Sequence, residues 1–337
     1  MSGCWVVERN LNLYMSKKIV AVLKDNSRRI QEIDMAKGLL ILLMVAFHLG
    51  LFNTKYPHAC QIVYTFHMSG FLLISGYLFS ANKEPKKFLK SIYGIVVPYI
   101  VFEIVYLLGV GMLGKFIGAS NTFDGGALTL LSNIAFSPTG TYWYLHTMAI
   151  CLTVYYIVNR YVMKGLSGIL ISSVILFALS IGIEGLKWEN IIYFIIGALF
   201  RNANFVINER LKSPISILCF VLIIVFSNEF SRDSITGIGL TLTFIGFIFD
   251  LKDRIPKQIS NFISYIGRNS LAIVLFSPLF TVVTKFYAPF FAFDNSTILW
   301  TLFSLLLIVS LCLLCAILFD RLPLSRVIVG KNIYSKL

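Results

Sequence analysis

Apolar runs bounded by charge, Gly or Pro alternate with short polar stretches along the whole chain. They can be drawn at 36–54, 59–80, 91–113, 142–159, 166–183, 190–200, 213–228, 235–250, 269–287 and 297–319. Most suit a hydrocarbon core about 30 Å thick at a rise of about 1.5 Å per residue, which predicts an all-α, polytopic membrane bundle of about ten transmembrane helices. The run at 190–200 is short. It predicts either a half-helix packed inside the bundle or a helix that Trp188 and Asn190 extend into the interface. The segment 114–141 is polar and rich in glycine (Gly114, Gly118, Gly125, Gly126, Gly140), with room for a small re-entrant or substrate-facing piece. This gives a basic segment at 1–35, a transmembrane domain at 36–319 and a basic tail at 320–337, with no stretch suited to a separate soluble domain.

Charge orients the bundle. Only 13% of the 337 residues are charged, against about 25% in ordinary soluble domains, while 29 Lys and Arg face 16 Asp and Glu for a net +13. These values exclude a soluble enzyme, a disordered tail and a nucleic-acid-binding domain. The loops 1–35, 81–90, 160–165, 201–212, 251–268 and 320–337 hold 23 of the 29 basic residues. The other set holds Lys55, Lys115, Lys187, Arg232 and Lys285, and Lys37 lies within the first span. Such a bias predicts cytoplasmic N- and C-termini and an even number of crossings. No signal peptide is visible, and Met15 is a second candidate start beside Met1. The six cysteines show no metal-ligand pattern, and Cys312-x-x-Cys315 lies mid-span, where an ordinary buried thiol pair is expected. No internal repeat of the inverted-transporter kind is visible.

The few ionisable residues inside spans then carry the interest, because charge in a bilayer is costly and usually faces a cavity or a partner. Lys37 and His48 are eleven residues apart; eleven steps of about 100° return to nearly the same helix face, about 16 Å along the axis. Asp34 lies on that side too. Function on this stripe competes with a lysine that snorkels and a histidine bonded to backbone. Glu103, the one acidic residue deep in a span, either orients the His48 imidazole or pairs with Lys37 or a tyrosine hydroxyl. His67 is expected at the depth of His48, where it binds a substrate, orients His48 or simply bonds a core hydroxyl. His58 sits in a short external loop, and His146, a turn into the fourth span, is placed to line an outer cavity beside Trp143.

Asp34-x-x-Lys37-Gly38 followed by ten residues and His48 resembles the opening signature of the membrane acyltransferase-3 family, bacterial O-acyltransferases of surface glycans. Further similarities follow in order: Phe66-His67-Met68-Ser69-Gly70-Phe71 leading to Ser75-Gly76-Tyr77-Leu78-Phe79, then Pro98-Tyr99, Trp143-Tyr144-Leu145, Phe194-Ile195-Ile196-Gly197 and Ile266-Gly267-Arg268-Asn269-Ser270-Leu271. They span roughly 29–319. The chain departs from the family in lacking Arg-x-x-Arg before Pro98, and in having Val274 and Ser277 where a Tyr and a His are common.

The resemblance implies an O-acyltransferase, in the first place an O-acetyltransferase, of the bacterial inner membrane. It would use acetyl-CoA as acyl donor, with no permanently bound cofactor and no metal, and a polysaccharide or lipid-linked glycan as acceptor. Membrane lipids are the remaining expected partners, nucleic acid is not one, and self-association is left open. It makes His48 the general base or acyl relay, Lys37 a coenzyme ligand or charge balance, and Asp34 the holder of Lys37, with Glu103 as a further catalytic candidate. Lys37, Lys87, Lys90 and Arg268 are expected to attract the coenzyme phosphates, although positive-inside bias alone accounts for the last three. His67, Ser75, Trp143, His146 and Ser270 are candidates to meet the acyl chain or acceptor; small residues also serve close helix packing, and Trp143 also suits an aromatic belt. Apart from the family motifs, a transporter or flippase of a lipid-linked glycan or small metabolite fits the ten spans equally well, and a non-catalytic partner of a polysaccharide polymerase is a third reading.

Overall fold

A computed structural model describes residues 30–117 and 126–335, excepting the side chains of 110–117. The candidate starts Met1 and Met15, most of the basic segment 1–35, Gly118, Gly125 and the last two residues of the tail lie outside the described residues. Every regular element described is helical. In chain order these are α1 Gln31–Phe47, α2 Gly50–Lys55, α3 Pro57–Leu78, α4 Pro85–Ile117, α5 Ala127–Ala135, α6 Trp143–Ile157, α7 Gly165–Gly182, α8 Trp188–Asn202, α9 Ile207–Arg210, α10 Ser216–Phe226, α11 Ile235–Arg254, α12 Lys257–Arg268, α13 Ser270–Tyr287, α14 Ile298–Arg321 and α15 Leu324–Ile328.

Among the described residues five helical segments are long and apolar enough to cross a membrane: Pro85–Gly109, Gly165–Gly182, Ile235–Arg254, Ser270–Phe291 and Ile298–Arg321. The outward faces of several helices are largely apolar stripes. On α7, Leu166, Leu170, Val174, Phe177 and Ile181 are exposed, and on α14, Leu299, Leu302, Leu306, Leu314 and Leu318. These recur at helical spacing, and in water each would forfeit about 1.5–3 kcal/mol of available burial. Lipid is their solvent, and the protein is a helical membrane bundle.

The sequence-drawn spans differ from the helices in several places, of which three bear on the site. The first run breaks at His48 and Leu49, because the Phe47 carbonyl at the end of α1 is taken by the Tyr64 hydroxyl at 2.8 Å and by the Asn53 amide at 3.4 Å. The short sixth run is extended backward to Trp188, where α8 begins. The basic stretch 251–268 is largely helical: α12 buries Ser260, Ser264, Tyr265, Ile266 and Gly267 and leaves Ile259 and Phe262 exposed, so its polarity disguises a packed helix.

At the centre runs α3, which packs on α8, α11 and α6. It is buried almost throughout although it carries Thr65, His67 and Ser69. Each of these donates to a carbonyl one turn back, His67 Nδ1 to Val63 O at 2.7 Å, Thr65 Oγ1 to Gln61 O at 2.9 Å and Ser69 Oγ to Thr65 O at 2.8 Å, so these donors are satisfied inside the helix itself.

Two glycine crossings set the helix spacing. A Cβ added at Gly76 would lie 2.1 Å from Phe194 O, and one at Gly197 2.0 Å from Leu73 O, so α3 and α8 touch backbone to backbone. Likewise a Cβ at Gly38 would lie 2.1 Å from Ile263 O, and one at Gly267 1.7 Å from Asp34 O, which joins α1 to α12. Such contact between membrane helices needs residues without side chains. Gly197→Val should force α3 and α8 apart, costing about 1–3 kcal/mol or more, and should lower the melting temperature in detergent. Gly182→Ala, where the added Cβ meets nothing within 4 Å, should leave it unchanged.

Candidate active site

The α1–α12 and α3–α8 crossings bring the ends of α1, α3, α4, α6 and α13 around a cavity of about 480 Å³, within the range of small-molecule sites. Lys37, Lys87 and Lys90 line it with Ser75, Tyr144 and Ser270. Of the eight residues beyond Lys37 that the sequence offers to the coenzyme, acyl chain or acceptor, Lys87, Lys90, Ser75 and Ser270 thus meet at one place, while His67, Trp143 and His146 are not among its lining residues; Arg268 stands aside, its guanidinium 5.9 Å from the Tyr265 ring centre. The Tyr144 hydroxyl donates to Met148 Sδ at 3.3 Å and is 3.2 Å from Ser75 Oγ, whose own proton then serves that contact. Pro98 and Pro278 lie inside α4 and α13 and lack the N–H that would bond the carbonyls of Gly94 and Val274, two further wall residues.

A second cluster lies at the other end of the same helices. The imidazoles of His48 and His67 are 6.1 Å apart between ring centres, and the Tyr64 ring stands 5.2 Å from one and 5.4 Å from the other. His48 Nδ1 is 2.7 Å from Met44 O, as His67 Nδ1 is from Val63 O. A carbonyl only accepts, so both rings donate through Nδ1–H, and in the neutral form both carry their lone pair on Nε2. His67 is 1% exposed, and no hydrogen-bond partner meets its Nε2 among the described residues.

Arg232 completes this cluster from the turn between α10 and α11. Its Nε donates to Tyr64 O at 2.9 Å and its Nη1 to Asn190 Oδ1 at 2.9 Å; Glu189 lies 3.6 Å away, and the guanidinium stands 5.2 Å from the centre of the Trp143 ring. Arg232 figured in the sequence only as a loop charge. The available signal was its place among the five basic residues of the charge-poor loops, where an arginine has no topological use.

One strip joins the two clusters. On α3, His67, Phe71 and Ser75 follow at four-residue spacing, a face about 12 Å long. Phe71 packs edge-on to Tyr144 at 5.8 Å, and Tyr144 follows Trp143 at the start of α6. The arrangement offers cations and hydroxyls at one end, two imidazole lone pairs at the other, and aromatic rings between.

Glu103 and His146 belong to a third group. Glu103 Oε1 accepts the Thr139 N–H at 2.6 Å, His146 Nε2 lies 3.1 Å from Ala135 O, and the Tyr99 hydroxyl donates to Ile134 O at 2.7 Å. All three clasp the segment 134–139 that leads into α6. Asp34 is buried near the start of α1, with its backbone carbonyl against Gly267. Among the described residues no group of three or more His, Cys, Asp or Glu is placed to hold a metal ion.

Comparison with known proteins bears on this geometry. No curated protein and no solved structure gave a match to the chain. The family model described as an acyltransferase domain, acyltransferase-3, matches residues 30–317, and therefore includes α1 to α13 and most of α14. The match covers most of the chain and contains both clusters and the strip between them: the chain belongs to the acyltransferase-3 family of membrane acyltransferases.

Proposed function

We propose that this membrane acyltransferase moves an acetyl group from acetyl-CoA to a sugar hydroxyl of a surface polysaccharide or its lipid-linked precursor, in the inner membrane of a bacterium. Ten crossings with both termini in the cytoplasm, the topology that the loop charges predict, would put the lysine-lined cavity on the side where acetyl-CoA is found. The observation that carries the reading is the pair of imidazoles whose Nδ1–H groups are committed to their own helices, so that Nε2 lone pairs face one end of a strip whose other end is cationic.

In this reading Lys37, Lys87 and Lys90 take the coenzyme phosphates as charge-assisted donors, and Asp34 steadies Lys37. Arg268 attracts the coenzyme from the rim. The thioester passes Ser75 and Ser270 toward Phe71. The acceptor sugar enters at the opposite end against Trp143, and His67 Nε2 holds one of its hydroxyls. His48 Nε2 removes the proton of the attacking hydroxyl as its oxygen bonds to the thioester carbonyl carbon and the π pair moves onto the carbonyl oxygen. The Tyr144 hydroxyl, whose present acceptor is a weak thioether, turns to the oxyanion. Collapse of that intermediate breaks the C–S bond, and the coenzyme thiolate leaves with the proton returned by His48. Glu103 and His146 act at a distance, by shaping the segment that positions Trp143.

The test is transfer of labelled acetyl from acetyl-CoA to a crude lipid-linked glycan fraction by the purified protein. His48→Ala should reduce kcat by about 10²-fold or more, with the protein still inserted, while Lys37→Ala should act mainly on KM for acetyl-CoA. Absence of label on every acceptor, with cellular glycan acetylation unchanged by deleting the gene, would sink the enzyme reading in favour of transport. Arg232→Lys keeps the charge but cannot span Tyr64 and Asn190. It should lower kcat by about tenfold at an unaltered KM for acetyl-CoA; an unchanged kcat would remove Arg232 from the site.

A further inference from the structure

Beyond the matched family region the chain folds back over the cavity. After α14 it turns at Pro323 into α15 and runs beside the start of α4, where the Tyr93 hydroxyl donates to Val327 O. A Cβ at Gly94 would lie 2.9 Å from Val329 O, and Gly330 adopts φ +75°, a left-handed turn that suits glycine. The following residues are held at three places. Asp320 accepts the N–H groups of Ile333 and Tyr334 at 2.9 and 3.0 Å. The Tyr265 hydroxyl meets that of Tyr334 at 2.9 Å. The fully buried Asn269 pairs with Ser335 in both directions, donating to its carbonyl at 3.0 Å and accepting its N–H at 2.8 Å.

Between these holds, Val329 and Lys331 form part of the cavity wall, so Lys331 joins Lys37, Lys87 and Lys90 around one space. The ammonium of Lys83 lies nearby; burial first, then Arg201 and Lys331, hold it below the usual lysine value. Gathered cations repel one another, and a polyanion between them relieves the repulsion. Lys87 has an exposed partner, Glu84 at 3.2 Å, and the acidic group closest along the chain to Lys331, Asp320, is occupied by backbone N–H groups.

We propose that residues 322–335 form a strap that completes the donor pocket, and that Lys331 on this strap is a ligand to the phosphates of the acyl donor. The inference rests on the coenzyme A reading above and adds a binding group from outside the region that matches the family. Asn269 and Asp320 are positioning residues for the strap, which gives the Asn of Ile-Gly-Arg-Asn-Ser-Leu a mechanical task next to Ser270.

Binding of coenzyme A and of pantetheine, which has no phosphates, to the full chain in phosphatidylcholine nanodiscs tests this. Lys331→Ala should weaken coenzyme A by about fivefold or more, leave pantetheine and the unliganded melting temperature unchanged, and be rescued by Lys331→Arg. A smaller loss, or an equal loss for pantetheine, overturns the role of Lys331 while the donor reading stands. If the wild type binds no coenzyme A, both fall. With phosphatidylglycerol added, a wild-type loss of coenzyme A affinity that Lys331→Ala abolishes would assign the lysine to lipid headgroups instead.

Discussion

Backbone contact at two glycine crossings controls how near the functional side chains come to one another. Gly76 and Gly197 lock α3 to α8, and Gly38 and Gly267 lock α1 to α12. Lys37 precedes Gly38 and Ser75 precedes Gly76, so each crossing fixes a residue of the cavity wall. Between apolar helices in lipid there is no hydrophobic drive to associate, and close packing has to supply the attraction. A methyl group at any of the four positions would displace backbone rather than a flexible side chain, which makes the spacing of the site stiff.

The absence of water from a bilayer interior explains the internal arrangement of polarity. Lipid-facing surfaces of α7 and α14 are apolar, while α3, enclosed by other helices, carries the hydroxyls and an imidazole. Each imidazole of the histidine pair donates to its own helix, which fixes the tautomer and leaves the lone pair on Nε2. Arg232 joins the same cluster by tying Tyr64, which stands beside both histidines, to Asn190 of α8. Glu103 commits a carboxyl oxygen to the segment before α6. The polar residues are therefore gathered in three places, a cationic cavity, an imidazole pair and a loop clasp.

Much of this was legible in the residues. Apolar runs marked the helices, and the spacing from Lys37 to His48 predicted one shared face, although α1 ends at Phe47, one residue short of His48. The ordered motifs matched a family that the comparison shows. What stayed hidden depended on contacts distant in sequence. The break after Phe47 requires Tyr64 and Asn53, α12 looked like a loop because half its surface is polar, and Arg232 turns inward only because Asn190 and Tyr64 O receive it. The tail 320–337 read as a basic orientation signal, yet Asp320 and Asn269 draw its described part over the cavity.

The central claim is that the lysine-rich end of the strip takes the acyl donor and the histidine end takes the acceptor. Photoaffinity labelling with a coenzyme A thioester that bears a photoreactive acyl group, followed by mapping of the modified peptides, tests it most directly. Label on the cavity-lining segments of α3, α6 and α13, suppressed by excess coenzyme A, is the predicted result. Competed label confined to the opposite end, on the turn that carries Arg232 or on α2, would contradict the account.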